Sequence, residues 1–383
     1  MRKFSWGKCV VVWSALVLAA GGTLADEWMY VSPDSGEVVV FDDANPPERF
    51  RQPETPTKQL KGGAITWSVT YQDVVSNTNV GFDDTTHGAT RQAAVDAVLN
   101  YISNILAETT GAVVDVRFSV SQTDGMGFLA SAGPFYNTGN GFSNGTAWEH
   151  ITTGVDPSGA IVDISSTFDF GHTYLNDHTQ TPSGGQNDLF SVLLHEMTHG
   201  LGIASAANSS GNSLVTGANP GRYTVWDQLM RVGLNPVFDS TTTEFEIGVN
   251  ASTFVSDNLF FSGSNAAAAH GSNAPIYAPT TFASGSSLSH FKTGFVDSVM
   301  EHIIVTGVAE RDYSDVDLGA LVDIGYSNVS VVPAVFFDSS TATVSENAGS
   351  VTVNLAITLD PGATESVTIA TADGTAVDGV DYT

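Results

Sequence analysis

His195-Glu196-Met197-Thr198-His199 reads H-E-x-x-H inside a stretch with helical apolar spacing, and this stretch decides the fold. On a helix, side chains four apart stack on one face. His195 and His199 therefore offer two imidazole nitrogens to a single Zn²⁺. Glu196, beside the first, is placed to act on a water at that ion as general base. Leu189, Val192, Leu193 and Met197 are spaced for a buried stripe. Asn187 or Asp188 is positioned to cap the helix start, just after Gly184-Gly185. Gly200 and Gly202 stand where the helix ends and the chain turns. The competing account is a chance match on an ordinary helix. A buried helix with two His, a Glu and a glycine stop is much the rarer occurrence.

A catalytic zinc needs a third protein ligand and an open position for water. The run from His195 to Ser205 resembles the metzincin motif H-E-x-x-H-x-x-G-x-x-H/D, with Gly202 at its glycine and Ser205 at its third-ligand position. A neutral hydroxyl is a poor zinc ligand, so the third ligand is expected elsewhere. The remaining histidines are 87, 150, 172, 178, 270, 290 and 302. His290 lies in Ser287-Leu288-Ser289-His290-Phe291, with Val299-Met300 a short way downstream. That arrangement resembles the leishmanolysin-like branch of metzincins, where a long insertion precedes the third His and a Met-turn follows it. Leishmanolysin proper is cysteine-rich and this chain is not. The resemblance is to the active-site architecture, over roughly residues 63–326.

The resemblance implies His195, His199 and His290 as zinc ligands and Glu196 as general base. It also implies Met300 as the Met-turn and Gly202 as the turn after the zinc helix. His270, or a glutamate such as Glu244 or Glu301, remains an alternative third ligand. Many metzincins carry a Tyr two residues after that Met. Here the position is His302, read as a surface residue, with help to the oxyanion as the alternative. The implied activity is hydrolysis of peptide bonds in a protein or peptide substrate by a zinc-activated water.

The two ends carry their own patterns. Arg2, Lys3 and Lys8, the apolar run Val10 to Leu18 and Thr23-Leu24-Ala25 read as a signal peptide over 1–25, which implies export to a secreted or cell-surface location. The single cysteine, Cys9, leaves with it, so disulfides and thiolate metal sites are excluded from the mature chain. Near the C-terminus, Ser345-Glu346-Asn347-Ala-Gly349 and Asp373-Gly374-Thr-Ala-Val-Asp378-Gly379-Val-Asp381-Tyr382 punctuate short alternating strands. These motifs resemble the Calx-beta domain, a calcium-binding β-sandwich, and cover the first half of one. The resemblance implies Ca²⁺ bound by Glu346 and Asp373, with Asp378 and Asp381 as weaker candidates. Hard carboxylate oxygens suit that ion, although Asp-Gly is also a turn former in its own right.

Between the ends, 13 Lys+Arg against 41 Asp+Glu give a net charge of −28 over 383 residues. Such acidity excludes nonspecific nucleic-acid binding and suits divalent cations. The expected fold class is α+β. A metzincin-like catalytic domain, a mixed twisted sheet plus the active-site helix, precedes a partial all-β Calx-beta sandwich. Expected boundaries are 1–25 signal peptide, 26–62 propeptide or loosely packed lead-in, 63–327 zinc metallopeptidase-like domain, 328–332 linker and 333–383 truncated Calx-beta domain. Within the second of these, Pro46-Pro47 and Pro53-Glu54-Thr55-Pro56 stand out. Strands are expected at Ala64–Tyr71, Val113–Val120 and Ala160–Phe170, and helices at Thr90–Ala107 and Asp315–Tyr326. Residues 205–295 form the long insertion. Glu149-His150 and His172 to His178 read as isolated surface or loop residues. The chain reads either as a secreted zinc endopeptidase with a calcium-binding accessory module, or as a calcium-binding surface protein whose peptidase-like domain is inactive.

Overall fold

The computed structural model describes residues 27–62, 65–108, 110–294, 298–327 and 329, and the backbone of 335–337 and 355–357. The signal-peptide residues with Cys9, and the calcium candidates Glu346, Asp373, Asp378 and Asp381, lie outside the described residues. The chain divides into two compact units, 1–331 and 332–383. In the second, Val335–Phe337 pairs antiparallel with Leu355–Ile357.

The first unit opens with β1 (Glu27–Ser32), β2 (Glu37–Asp42), β3 (Lys58–Gly62) and β4 (Ile65–Tyr71), followed by the short α1 (Gln72–Ser76) and the long α2 (Gly88–Ile105). Then come β5 (Val113–Gln122), β6 (Ala130–Asn137), β7 (Gly141–Ser143), α3 (Thr146–Thr153) and β8 (Ile164–Asp169). Seven of these strands make one sheet in the order β2-β1-β6-β8-β5-β4-β3. β4, β5 and β8 run parallel, while β3, β6, β1 and β2 pair antiparallel. Ile65, Trp67, Ser68, Val69, Thr70 and Tyr71 are all buried on β4, as a strand covered on both faces requires. α2 buries Ala94, Val95, Val98, Leu99, Ile102 and Ile105, a stripe at helical spacing. α4 (Leu189–Gly200) lies against β6, β8 and α2.

Residues 205–294 build their own small core. Trp226, on α5 (Val225–Gln228), stacks on Phe261 at 4.4 Å and donates its indole N–H to Leu288 O at 2.8 Å. The chain then passes through α6 (Ser264–His270) to α7 (Asp315–Asp323). These two helices touch at Gly319, where a Cβ would lie 2.5 Å from Ala266 N. No helix among the described residues is long and apolar enough to cross a membrane.

Three features depart from the sequence expectation. The lead-in is not loosely packed: its strands join the main sheet, because Trp28, Met29, Tyr30 and Val31 are buried. β6 was not expected, since Ala130-Ser-Ala-Gly-Pro-Phe-Tyr-Asn137 is weak in β-branched residues. α7 stops at Asp323, short of Tyr326, and Gly325 follows at φ +111°.

Candidate metal centre

The site is built on α4, every residue of which is buried. The Asp188 carboxylate caps it, accepting from Ser191 N at 3.0 Å and Ser191 Oγ at 2.7 Å. Arg311 pairs with the same carboxylate, so the capping charge is compensated. After the helix, Gly202 sits at φ +111°, and a Cβ there would lie 2.8 Å from Asn144 O. Both facts require glycine. The turn brings Ile203 O back onto His199 Nδ1 at 2.6 Å.

His195 Nδ1 meets Val299 O at 2.6 Å, and His290 Nδ1 meets Ser286 O at 2.7 Å. All three Nδ1 atoms therefore face backbone carbonyls. A carbonyl only accepts, so each Nδ1 carries the proton and each Nε2 is left with a bare lone pair. Those lone pairs converge. His290 Nε2 lies 3.1 Å from His199 Nε2 and 3.2 Å from His195 Nε2. Three buried acceptors at this separation repel one another unless a cation lies between them. Zn–N bonds of about 2.0–2.1 Å at tetrahedral angles would put ligand nitrogens about 3.3–3.4 Å apart, close to what is seen. Carbonyl-oriented imidazoles are also the usual second layer of such a site. The residues fit a tetrahedral metal ion.

A fourth group completes the cluster. Asp34, in the turn between β1 and β2, places Oδ2 at 3.2 Å from His199 Nε2 and 3.7 Å from His195 Nε2, with Oδ1 at 3.4 Å from His290 Nε2. Asp34 with His195, His199 and His290 forms one of the two His/acid groups of metal-holding geometry among the described residues. Burial drives His199 down to about 4 and raises Glu196 well above the usual carboxylate range, the Asp34 charge adding to the rise. Glu196 is 2% exposed, and its Oε2 has no hydrogen-bond partner among the described residues.

His270, Glu244 and Glu301 do not join the imidazole cluster. Ser205 has a different task. Its hydroxyl donates to Asp227 Oδ1 at 2.6 Å, and its N–H donates to Ser289 Oγ at 3.0 Å. The residue at the motif's third-ligand position thus ties the end of α4 to the segment carrying His290. Met300 is fully buried, and Phe291 N donates to Met300 O at 2.8 Å. Asp317 holds that turn, taking Ser298 Oγ at 2.5 Å and Val299 N at 3.1 Å. His302 stacks flat on Tyr277 at 3.5 Å between ring centroids, and burial lowers it to about 4. With Lys292, Thr293 and Asp257 they line an open groove beside the His290 segment.

Sequence reasoning missed Asp34, whose imidazole partners are far away in the chain, and also Asp227 and Asp317, which brace the segments around the site. It also misplaced His150. That side chain is buried on α3, with Nδ1 2.9 Å from Asp163 Oδ2. Asp156 completes a second group of possible ligand geometry. The neighbouring Asp115 is pushed up to about 6 by burial.

The Calx-beta domain family model matches residues 330–383. No curated protein and no solved structure matches the chain.

Proposed function

We propose that the first unit is a zinc metalloendopeptidase of metzincin type, with His195, His199 and His290 as ligands and Glu196 as general base. The Calx-beta segment would add a calcium-binding module to a protein of the cell surface or secreted space. The observation that carries this reading is the convergence of three Nε2 lone pairs whose partner Nδ1 protons are all held by carbonyls.

Zinc in that cluster would supply a Lewis acid that polarises a scissile carbonyl and acidifies water. The remaining work falls to this chain. Val299 O, Ile203 O and Ser286 O hold the three rings in one tautomer. Glu196, one residue from a ligand and with a free buried oxygen, takes the proton of the attacking water and passes it to the leaving amine. Ser205, at the motif's third-ligand position, is engaged with Asp227, and the third imidazole of the cluster comes from His290.

The test is hydrolysis of a mixed peptide library by the full chain, followed by mass spectrometry. Treatment with phenanthroline is expected to lower the rate by about 100-fold or more, and added Zn²⁺ to restore it. Hydrolysis that survives chelation would contradict the proposal, as would a zinc-loaded chain with no hydrolysis at all.

A further inference from the structure

Three carboxylates and one imidazole meet where α3 packs on β5, just ahead of β8. His150 is buried on α3, Asp115 is buried on β5, and Asp163 is buried at the residue before β8. Asp156 is half-buried in the loop that joins α3 to β8. Gly154 turns the chain into that loop. It ends α3 at φ +75° and donates its N–H to His150 O at 2.9 Å, a left-handed conformation that favours glycine. Asp156 then shapes the loop with one oxygen: its Oδ1 accepts from Ser158 N at 2.9 Å and Gly159 N at 2.8 Å.

Asp163 is pinned in place. Its N–H donates to Asp115 O at 2.8 Å, its carbonyl accepts from Thr146 Oγ1 at 2.8 Å, and its Oδ2 accepts from Asp115 N at 2.9 Å. His150 Nδ1 lies 2.9 Å from the same Oδ2. The other oxygen, Oδ1, has no hydrogen-bond partner among the described residues, although Asp163 is 1% exposed. Buried carboxylate oxygens are ordinarily satisfied, and this one is left as a dry acceptor inside the cluster. Nor does a basic side chain balance the charge. Among the described residues, no Lys or Arg pairs with Asp115, Asp156 or Asp163. Arg117, two residues along β5 from Asp115, gives its Nη1 to Glu48 O instead. Asp115 is held by the Gln52 side chain, whose Nε2 donates to Oδ2 at 2.5 Å. One imidazole cannot offset three acids, and buried charge of one sign calls for a counter-ion.

We propose that His150, Asp156 and Asp163 bind a second divalent cation, Mn²⁺ or Zn²⁺, with Asp115 as the negative charge beside it. The ligand atoms of the three all lie within 4.8 Å of one another. Bonds of about 2.1 Å put neighbouring ligand atoms about 3.0 Å apart and opposite ones about 4.2 Å apart. The His150–Asp163 separation already matches the first, and a shift of Asp156 by well under about 1 Å closes the rest. A nitrogen among carboxylate oxygens suits these two ions, whereas Ca²⁺ and Mg²⁺ take oxygen ligands. On binding, His150 Nδ1 releases its proton to solvent and turns its lone pair to the ion. The ion then ties α3 and its loop to the sheet. This group shares no residue with the imidazole cluster on α4, so it stands or falls apart from the peptidase reading.

The test titrates the full chain with Mn²⁺ and reads free Mn²⁺ by its electron paramagnetic resonance signal. Millimolar Ca²⁺ is present throughout to fill sites built of oxygen alone. Wild type, Asp163→Asn and Asp156→Asn are compared. Asn at position 156 keeps the Oδ1 acceptor that shapes the loop, so this variant removes a charge without removing the turn. Both variants are expected to bind about one Mn²⁺ per chain fewer than wild type, or to hold it at least about tenfold more weakly, because affinity follows ligand charge. Saturating Mn²⁺ is expected to raise the wild-type Tm by about 3 °C or more, and that of the variants by less. Equal stoichiometry and affinity in wild type and Asp156→Asn overturns the inference, as does a wild-type chain that binds no Mn²⁺. If Asp163→Asn does not fold, Asp156→Asn decides alone.

Discussion

The Glu196→Gln protein is expected to lose peptide hydrolysis by about 10²–10⁴-fold, the range for removal of a positioned general base, while keeping its metal. The two properties separate because Glu196 is not in the ligand cluster, which consists of Asp34, His195, His199 and His290. Gln matches the shape of Glu and leaves an acceptor at Oε1, so α4 and its packing should persist. The loss should appear equally in kcat and kcat/KM, as for an interaction made only in the transition state. Steady-state kinetics on the full chain, beside metal analysis, provide the check. Unchanged turnover removes Glu196 from the chemistry. Loss of metal together with turnover makes it a structural residue.

The second large effect is expected at Asp317, which is fully buried on α7. Its carboxylate accepts from Ser298 Oγ, Val299 N, Ser314 N at 3.0 Å and Ser314 Oγ at 2.8 Å. Truncation to Ala strands these donors in a dry interior. Each orphaned group costs about 1–3 kcal/mol, so the total loss is expected to reach about 3 kcal/mol or more. For a unit of this size that lowers Tm by at least about 5 °C. The same carboxylate fixes the segment whose Val299 O orients His195. Metal affinity should therefore fall by about 10–100-fold, as when an outer-layer partner of a ligand is removed. Thermal unfolding with and without added Zn²⁺ measures both. A variant with wild-type Tm and wild-type metal affinity would show that α7 does not support the centre.

The parts of the site legible in the sequence were the local ones. H-E-x-x-H places two imidazoles on one helix face because the helical repeat does so for any chain, and Gly202 announces its turn because few other residues adopt φ +111°. His290 and Met300 were reachable only through the resemblance to the leishmanolysin-like metzincins, and the structure places His290 Nε2 beside both motif imidazoles. Asp34 was not reachable. A single carboxylate carries no periodicity, and its partners lie on α4 and beyond, brought together only by the β1–β6 pairing. The prolines and charges of residues 43–57 drew attention from the apolar runs on either side of Asp34, Trp28-Met-Tyr-Val31 and Val38-Val-Val-Phe41, which do the packing. β6 escaped for the opposite reason: its small residues admit a close neighbour strand and give little alternating signal. His150 read as a surface residue because its partner, Asp163, is a helix and a loop away.

The central claim is a metal held by His195, His199 and His290. The most direct measurement is the zinc content of the purified full chain, wild type against His290→Ala. The account predicts about one zinc per wild-type chain and little or none in the variant. A wild-type chain without zinc, or a His290→Ala chain that holds as much as wild type, would contradict it.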